Sequence, residues 1–128
     1  VPSSLPALVK AMRMQEKARG VGFDWEDKTQ VWGKVEEELG EFRAHFNPLT
    51  GEKINAKEAE EEFGDLLFSL VNYARFVDIN PETALEKTNI KFKGRFQYLE
   101  SKAKELGKNL KDMTLSEMDV FWEEAKKK

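Results

Sequence analysis

The sequence predicts an all-α fold, a bundle of about five helices. Three observations carry this expectation. Apolar residues recur at helical spacing over most of the 128 residues. No stretch sustains the apolar–polar alternation of a half-buried strand. Helix-start and helix-stop residues fall at short intervals between the periodic segments. Short connections between helices imply a bundle, and the length suits one domain spanning residues 1–128.

The first helix is expected from about Leu5 to Arg19, with Gly20 just past its end. The segment Gly20-Val21-Gly22-Phe23-Asp24-Trp25 is too glycine-rich to continue it. It reads as an ordered loop whose two aromatics either stack on a base or plug a bundle end. A second helix is expected from near Asp24 or Asp27 to about Phe46, with the apolar stripe Val31, Val35, Leu39, Phe42 and Phe46. Asn47-Pro48-Leu49-Thr50-Gly51 ends it, and Asn55 with Glu58 forms the next capping box.

The third helix runs from there to about Asp78. Its apolar residues, from Phe63 to Val77, nearly encircle the axis, which implies burial on more than one side and packing across a subunit interface. Asn80-Pro81-Glu82 opens a fourth helix with proline at its first position. That helix carries Leu85, Phe92, Phe96, Leu99, Ala103 and Leu106 and ends at Gly107. Thr114-Leu115-Ser116-Glu117 is a second capping box, opening a short last helix with Phe121 and Trp122.

Composition narrows the chemistry. There is no cysteine and one histidine, His45, so thiolate and multi-histidine metal sites are excluded within one chain. A bound metal must be held mainly by oxygen, which suits Mg²⁺, Ca²⁺ or Mn²⁺. Charged residues make up 35% of the chain but the net charge is −3, which argues against stable nucleic-acid binding. No apolar run is long enough to span a bilayer, and Val1–Leu8 lacks the regions of a signal peptide. A cytoplasmic protein is expected, and a start at Val1 points to a piece of a longer or processed chain.

Two acidic pairs stand out. Glu38 and Glu41 are three apart on the second helix, and Glu62 and Asp65 are three apart on the third. That spacing lets each pair reach one point, and two antiparallel helices could bring all four carboxylates around one ion. Acidic runs on helices ordinarily mark a solvated face, and Glu36–Glu41 alone fits that reading. Asp65 does not: it enters the most apolar segment beside Gly64, where an acid needs a partner. A Mg²⁺ ion on these oxygens would suit a phosphate ester, with Glu37 or Glu41 orienting the attacking water. Cations for such a substrate lie downstream: Lys87, Lys91 and Arg95 share a face at steps of four, Asn89 sits among them, and Trp122 and Lys126 are four apart.

These pieces together resemble the MazG family of nucleoside triphosphate pyrophosphohydrolases. The family's paired motifs, EExxE and ExxD, read here as Glu37-Glu38-Leu39-Gly40-Glu41 and Glu62-Phe63-Gly64-Asp65. Leu5-Pro6-Ala7-Leu8, Val21-Gly22-Phe23-Asp24-Trp25, Gly64-Asp65-Leu66-Leu67-Phe68 and Asn89-Ile90-Lys91-Phe92-Lys93-Gly94-Arg95-Phe96 extend the likeness over essentially the whole chain. The resemblance implies hydrolysis of nucleoside triphosphates between the α and β phosphates, giving a monophosphate and pyrophosphate. It implies Mg²⁺, with Mn²⁺ as the alternative, on Glu38, Glu41, Glu62 and Asp65. It implies nucleotide binding by Lys91, Arg95, Trp122 and Lys126, with Asn89 joining them. It further implies a four-helix core completed in an intertwined homodimer or larger assembly, and a place as the second, catalytic copy in a tandem protein. The rivals are an all-α enzyme restricted to dUTP, dCTP or phosphoribosyl-ATP, and a non-catalytic oligomerisation module. Gly40 weakens a helix interior, and close helix approach is the one reason for it that the sequence offers.

Overall fold

The structure, a computed structural model, describes residues Val1–Lys128. It contains α1 (Ala7–Gly20), α2 (Lys28–Arg43), α3 (Ala56–Phe76), α4 (Pro81–Glu105), a single 3₁₀ turn (Leu110–Asp112) and α5 (Leu115–Lys126). The one extended pairing is an isolated bridge between Phe46 and Lys53. No helix is long and apolar enough to cross a membrane. The chain forms two compact units, Val1–Glu82 and Thr83–Lys128.

The helix starts follow the side-chain chemistry. Asp27 caps α2, accepting from the Thr29 and Gln30 amides at 2.9 and 3.1 Å, and the Thr29 hydroxyl donates to the same oxygen. Asn55 caps α3 by accepting from the Glu58 amide at 3.2 Å, while the Glu58 carboxylate lies 3.8 Å from His45 Nδ1. Thr114 and Glu117 form the full reciprocal box at α5.

The helix ends share one device. Phe23 N–H donates back to Ala18 O, Ile79 to Ala74 O and Lys108 to Ala103 O, each at 2.9 Å. Each such bond encloses one residue of positive φ: Gly22 (88°), Asp78 (58°) and Gly107 (68°). The left-handed residue that stops α1 is therefore Gly22, and Gly20 is still helical. A third helix reaching Asp78 is likewise two residues too long, because Asp78 takes the left-handed position.

In the first unit α2 packs along α3. Trp32 meets Tyr73 with ring centroids 4.9 Å apart, and Phe42 meets Phe63 at 5.3 Å, so the two helices run antiparallel. Val31, Val35, Ala59 and Val71 are buried between elements. The expected stripe on α2 needs one correction. Leu39 is 44% exposed, and Glu38, at 7%, takes the inward position. At 100° per residue Glu38 lies about 20° from Val31 around the axis and Leu39 about 80°, so the narrow seam admits the acid and excludes the leucine. α3 leaves Phe63, Leu67, Phe68 and Leu70 between 39% and 49% exposed, so this chain does not supply the all-round burial expected of it. A Cβ added at Gly40 would meet nothing within 4 Å, so no close helix approach requires it, and nothing in the structure explains that glycine.

In the second unit Leu99, Ala103 and Met113 are buried. Phe92 stacks on Phe96 and tilts against Trp122 at 5.2 Å. Tyr98 Oη donates to Glu124 at 2.7 Å and ties α4 to α5. Leu85, Phe92, Phe96 and Leu106 of the expected α4 stripe remain exposed.

Candidate metal centre

The antiparallel pairing of α2 and α3 sets the acids level with one another. Glu38, Glu41 and Glu62 each offer a carboxylate oxygen, and the three oxygens lie within 4.8 Å of one another. Glu38 is buried, Glu62 half-buried and Glu41 exposed, so the group opens from the helix seam toward solvent.

Its electrostatics favour a cation. Glu38 Oε2 and Glu62 Oε2 are shielded from solvent and have no hydrogen-bond partner, an expensive state for a carboxylate oxygen. The Glu41 carboxyl is held above its ordinary range, chiefly by the charge of Glu38, then by desolvation and by Glu62. The compensation within the protein is Lys34, whose Nζ lies 3.0 Å from Glu38 Oε1 and 3.3 Å from Glu37 Oε1. Its ammonium is held above the usual lysine range, first by the bond to Glu38. Lys34 escaped the sequence reading; its signal was the spacing of four residues to Glu38. Two orphaned carboxylate oxygens beside a third acid, with no histidine or thiol near, match the donor set of a hard divalent cation such as Mg²⁺.

The other acids stand outside this group. Asp65, three residues beyond Glu62 on α3, is exposed and makes no hydrogen bond or ion pair. Glu37 is exposed and held by Lys34. In the second unit the Arg95 guanidinium sits 5.8 Å from the Trp122 ring centroid. Lys126 pairs with Glu123 at 3.3 Å, and Asn89 and Lys91 are exposed.

The Phe23–Trp25 loop is anchored by charge. Arg75 on α3 donates to Asp24 Oδ2 at 3.0 Å and to Oδ1 at 2.7 Å, and its Nη2 also donates to Asn72 Oδ1 at 2.7 Å. Both partners of the pair are largely shielded, with 16% and 20% of their side-chain surface exposed. Arg75→Ala is expected to destabilise the protein by about 2 kcal/mol, the scale of charge-assisted hydrogen bonds lost from a shielded site. The Arg75 bond holds the Asp24 carboxyl below its ordinary range. That contribution is present above the pKa of an unfolded aspartate and is lost as pH falls through the lower folded value. Urea titrations of both proteins should show the difference shrinking at acid pH; a difference independent of pH would refute the linkage.

No family model matches the chain. Among curated proteins, a nucleoside triphosphate pyrophosphohydrolase/pyrophosphatase MazG of Thermotoga maritima is 44% identical over 122 residues, covering 95% of this chain and 45% of that protein. A nucleoside triphosphate pyrophosphohydrolase of Escherichia coli is 36% identical over 127 residues, covering 99% of this chain and 47% of that protein. The chain is a MazG homologue. It also matches an uncharacterized Bacillus subtilis protein, YabN, at 51% identity over 126 residues, which is 98% of this chain and 25% of YabN. The chain spans about half the length of the MazG relatives it matches.

Proposed function

We propose that this MazG homologue hydrolyses nucleoside triphosphates at the α–β phosphate bond, releasing a monophosphate and pyrophosphate. The observation that carries the proposal is the Glu38–Glu41–Glu62 group with its two orphaned oxygens. The names of the Thermotoga and Escherichia relatives give the reaction class.

Glu38, Glu41 and Glu62 would hold Mg²⁺, or Mn²⁺ in its place, with Asp65 completing the set from the next turn of α3. When bound, the ion would supply charge neutralisation and polarisation of phosphate oxygens. Glu41 is the residue assigned to the water. It is exposed, so a water molecule can reach its carboxylate. The water oxygen forms the new bond to the α phosphorus, the bond to the bridging oxygen of pyrophosphate breaks, and the water's proton passes to the Glu41 carboxylate. Glu37 would support this step through its shared contact with Lys34. Asn89, Lys91, Arg95, Trp122 and Lys126 would bind the nucleotide, the cations against phosphate and the Trp122 ring against an apolar surface. The working form would be a homodimer that covers Phe63, Leu67 and Leu70 of α3, a mass that light scattering reads directly.

A panel of ribo- and deoxyribonucleoside triphosphates with Mg²⁺ tests the reading. Stoichiometric pyrophosphate and monophosphate are expected. Orthophosphate as the first product, or no turnover of any triphosphate, would sink it; turnover of dUTP or dCTP alone would narrow it.

A further inference from the structure

A second concave site lies in the same unit, at the other end of the α2–α3 seam. The Phe23–Trp25 loop, α1 and α3 line a cavity of about 540 Å³ that is open to solvent. That size is ordinary for a small-molecule site. Aromatic side chains of Phe23, Trp25 and Phe68 line it, and Phe23 is left 81% exposed at the loop. Asp24 and Arg75 hold the loop against α3 while Phe23 stays exposed, an arrangement that leaves an aromatic surface open to a ligand.

The polar lining is as specific as the apolar one. Asn72 lines the cavity, and its side chain lies 2.7 Å from Arg75 Nη2. A guanidinium only donates, so the atom facing it is the amide oxygen, and the amide orientation is set. The Asn72 Nδ2 group, with its two N–H donors, forms no bond within the protein. The cavity therefore combines flat apolar walls with an oriented donor that seeks an acceptor. Asn72 and Phe68 follow Asp65 on α3 by seven and three residues, so they share its side of the helix.

We propose that this cavity binds the nucleobase of the substrate, and that Asn72 selects bases bearing a ring carbonyl over adenine. The inference rests on the proposed triphosphate hydrolysis. The base stacks among Phe23, Trp25 and Phe68, a contact that every base can make. Selection comes from Asn72 Nδ2: a carbonyl such as that of guanine or uracil accepts from it, whereas the exocyclic amine of adenine sets donor against donor. Asn72 is thus a specificity residue, separate from the acids that hold the ion.

The test compares wild type with Asn72→Asp, which keeps the size and the bond to Arg75 but offers acceptors only. The ratio of kcat/KM for GTP to that for ATP is expected to fall roughly tenfold, the worth of one hydrogen bond. A merely structural defect lowers both substrates together and leaves the ratio unmoved, which would overturn the proposal. A second arm needs no hydrolysis. Guanosine and adenosine, without phosphates, are titrated into ¹⁵N-labelled protein while the Trp25 indole and Asn72 amide signals are followed. Guanosine is expected to shift both signals at lower concentration than adenosine. Shifts confined to residues outside the cavity, or none, would overturn the site. If no triphosphate is turned over yet guanosine shifts these signals, the reaction falls and the base site stands; normal turnover with silent signals and an unchanged ratio gives the reverse.

Discussion

Replacing Glu38 by glutamine is expected to lower pyrophosphate release by roughly 10²–10³-fold, the scale of removing one essential electrostatic group from an active site. The same change is expected to leave the protein folded. Glutamine fills the same space on the α2–α3 seam, where Glu38 is 7% exposed, and its amide oxygen can still accept from Lys34. It also removes the charge that chiefly raises the Glu41 pKa. Function and stability should therefore part company, with activity collapsing while the thermal midpoint holds or rises. That combination separates a functional acid from a structural one. If the variant keeps wild-type turnover, or loses activity only because it unfolds, Glu38 is not a metal-site acid. Glu38→Ala is a poorer probe, because it would also open a hole beside Val35.

Magnesium is expected to stabilise the protein as well as to support catalysis. Three carboxylates within reach of one another, two with orphaned oxygens, oppose folding when no cation joins them. An ion that binds the native state alone adds about 2.7 kcal/mol at one hundred times its dissociation constant. Metal-free protein given Mg²⁺ should therefore melt several degrees higher. Hydrogen exchange should slow in α2 and α3, where the ligands sit, and chelator should reverse both effects. Glu38→Gln and Glu62→Gln should each blunt the shift. A thermal midpoint indifferent to Mg²⁺ in the wild type, or an undiminished shift in both variants, would count against the metal centre. An increase confined to peptides of α4 and α5 would move it elsewhere.

Much of the local structure was legible in the residues. Asn55 and Thr114 announced two helix starts, because their short polar side chains bond backbone amides a few residues on, while for α2 the sequence offered Asp24 and Asp27 alike and the structure selects Asp27. The ends were read less well. Gly20 and Gly22 are equally able to adopt positive φ, and only the backbone bond from Phe23 to Ala18 shows that Gly22 does so. Leu39 has the spacing of a core residue, apolar and four positions after Val35, yet it is 44% exposed. Steps of four drift around the axis, so Leu39 has moved out of the seam that Val31 and Val35 occupy, and Glu38 holds the better angle.

The acids divide in the same way. Spacing alone paired Glu38 with Glu41 and Glu62 with Asp65, since residues three apart on a helix are neighbours whatever surrounds them. Which carboxylates converge across two helices is a matter of register and rotamer, and the structure gathers Glu38, Glu41 and Glu62 while leaving Asp65 exposed. Lys34 is a local matter by contrast: its pair with Glu38 spans one turn of α2, and packing against α3 only buries the acid. The cavity behind Trp25 lies further still from the sequence. Asp24 and Arg75 are separated by 51 positions, and no periodicity connects them. By itself the sequence determined the helices, most of their caps and the pairing of acids along each helix, because these depend on contacts within about one turn. Tertiary structure decided which acids converge and where the cavity beside Trp25 lies, because those depend on how separate helices pack.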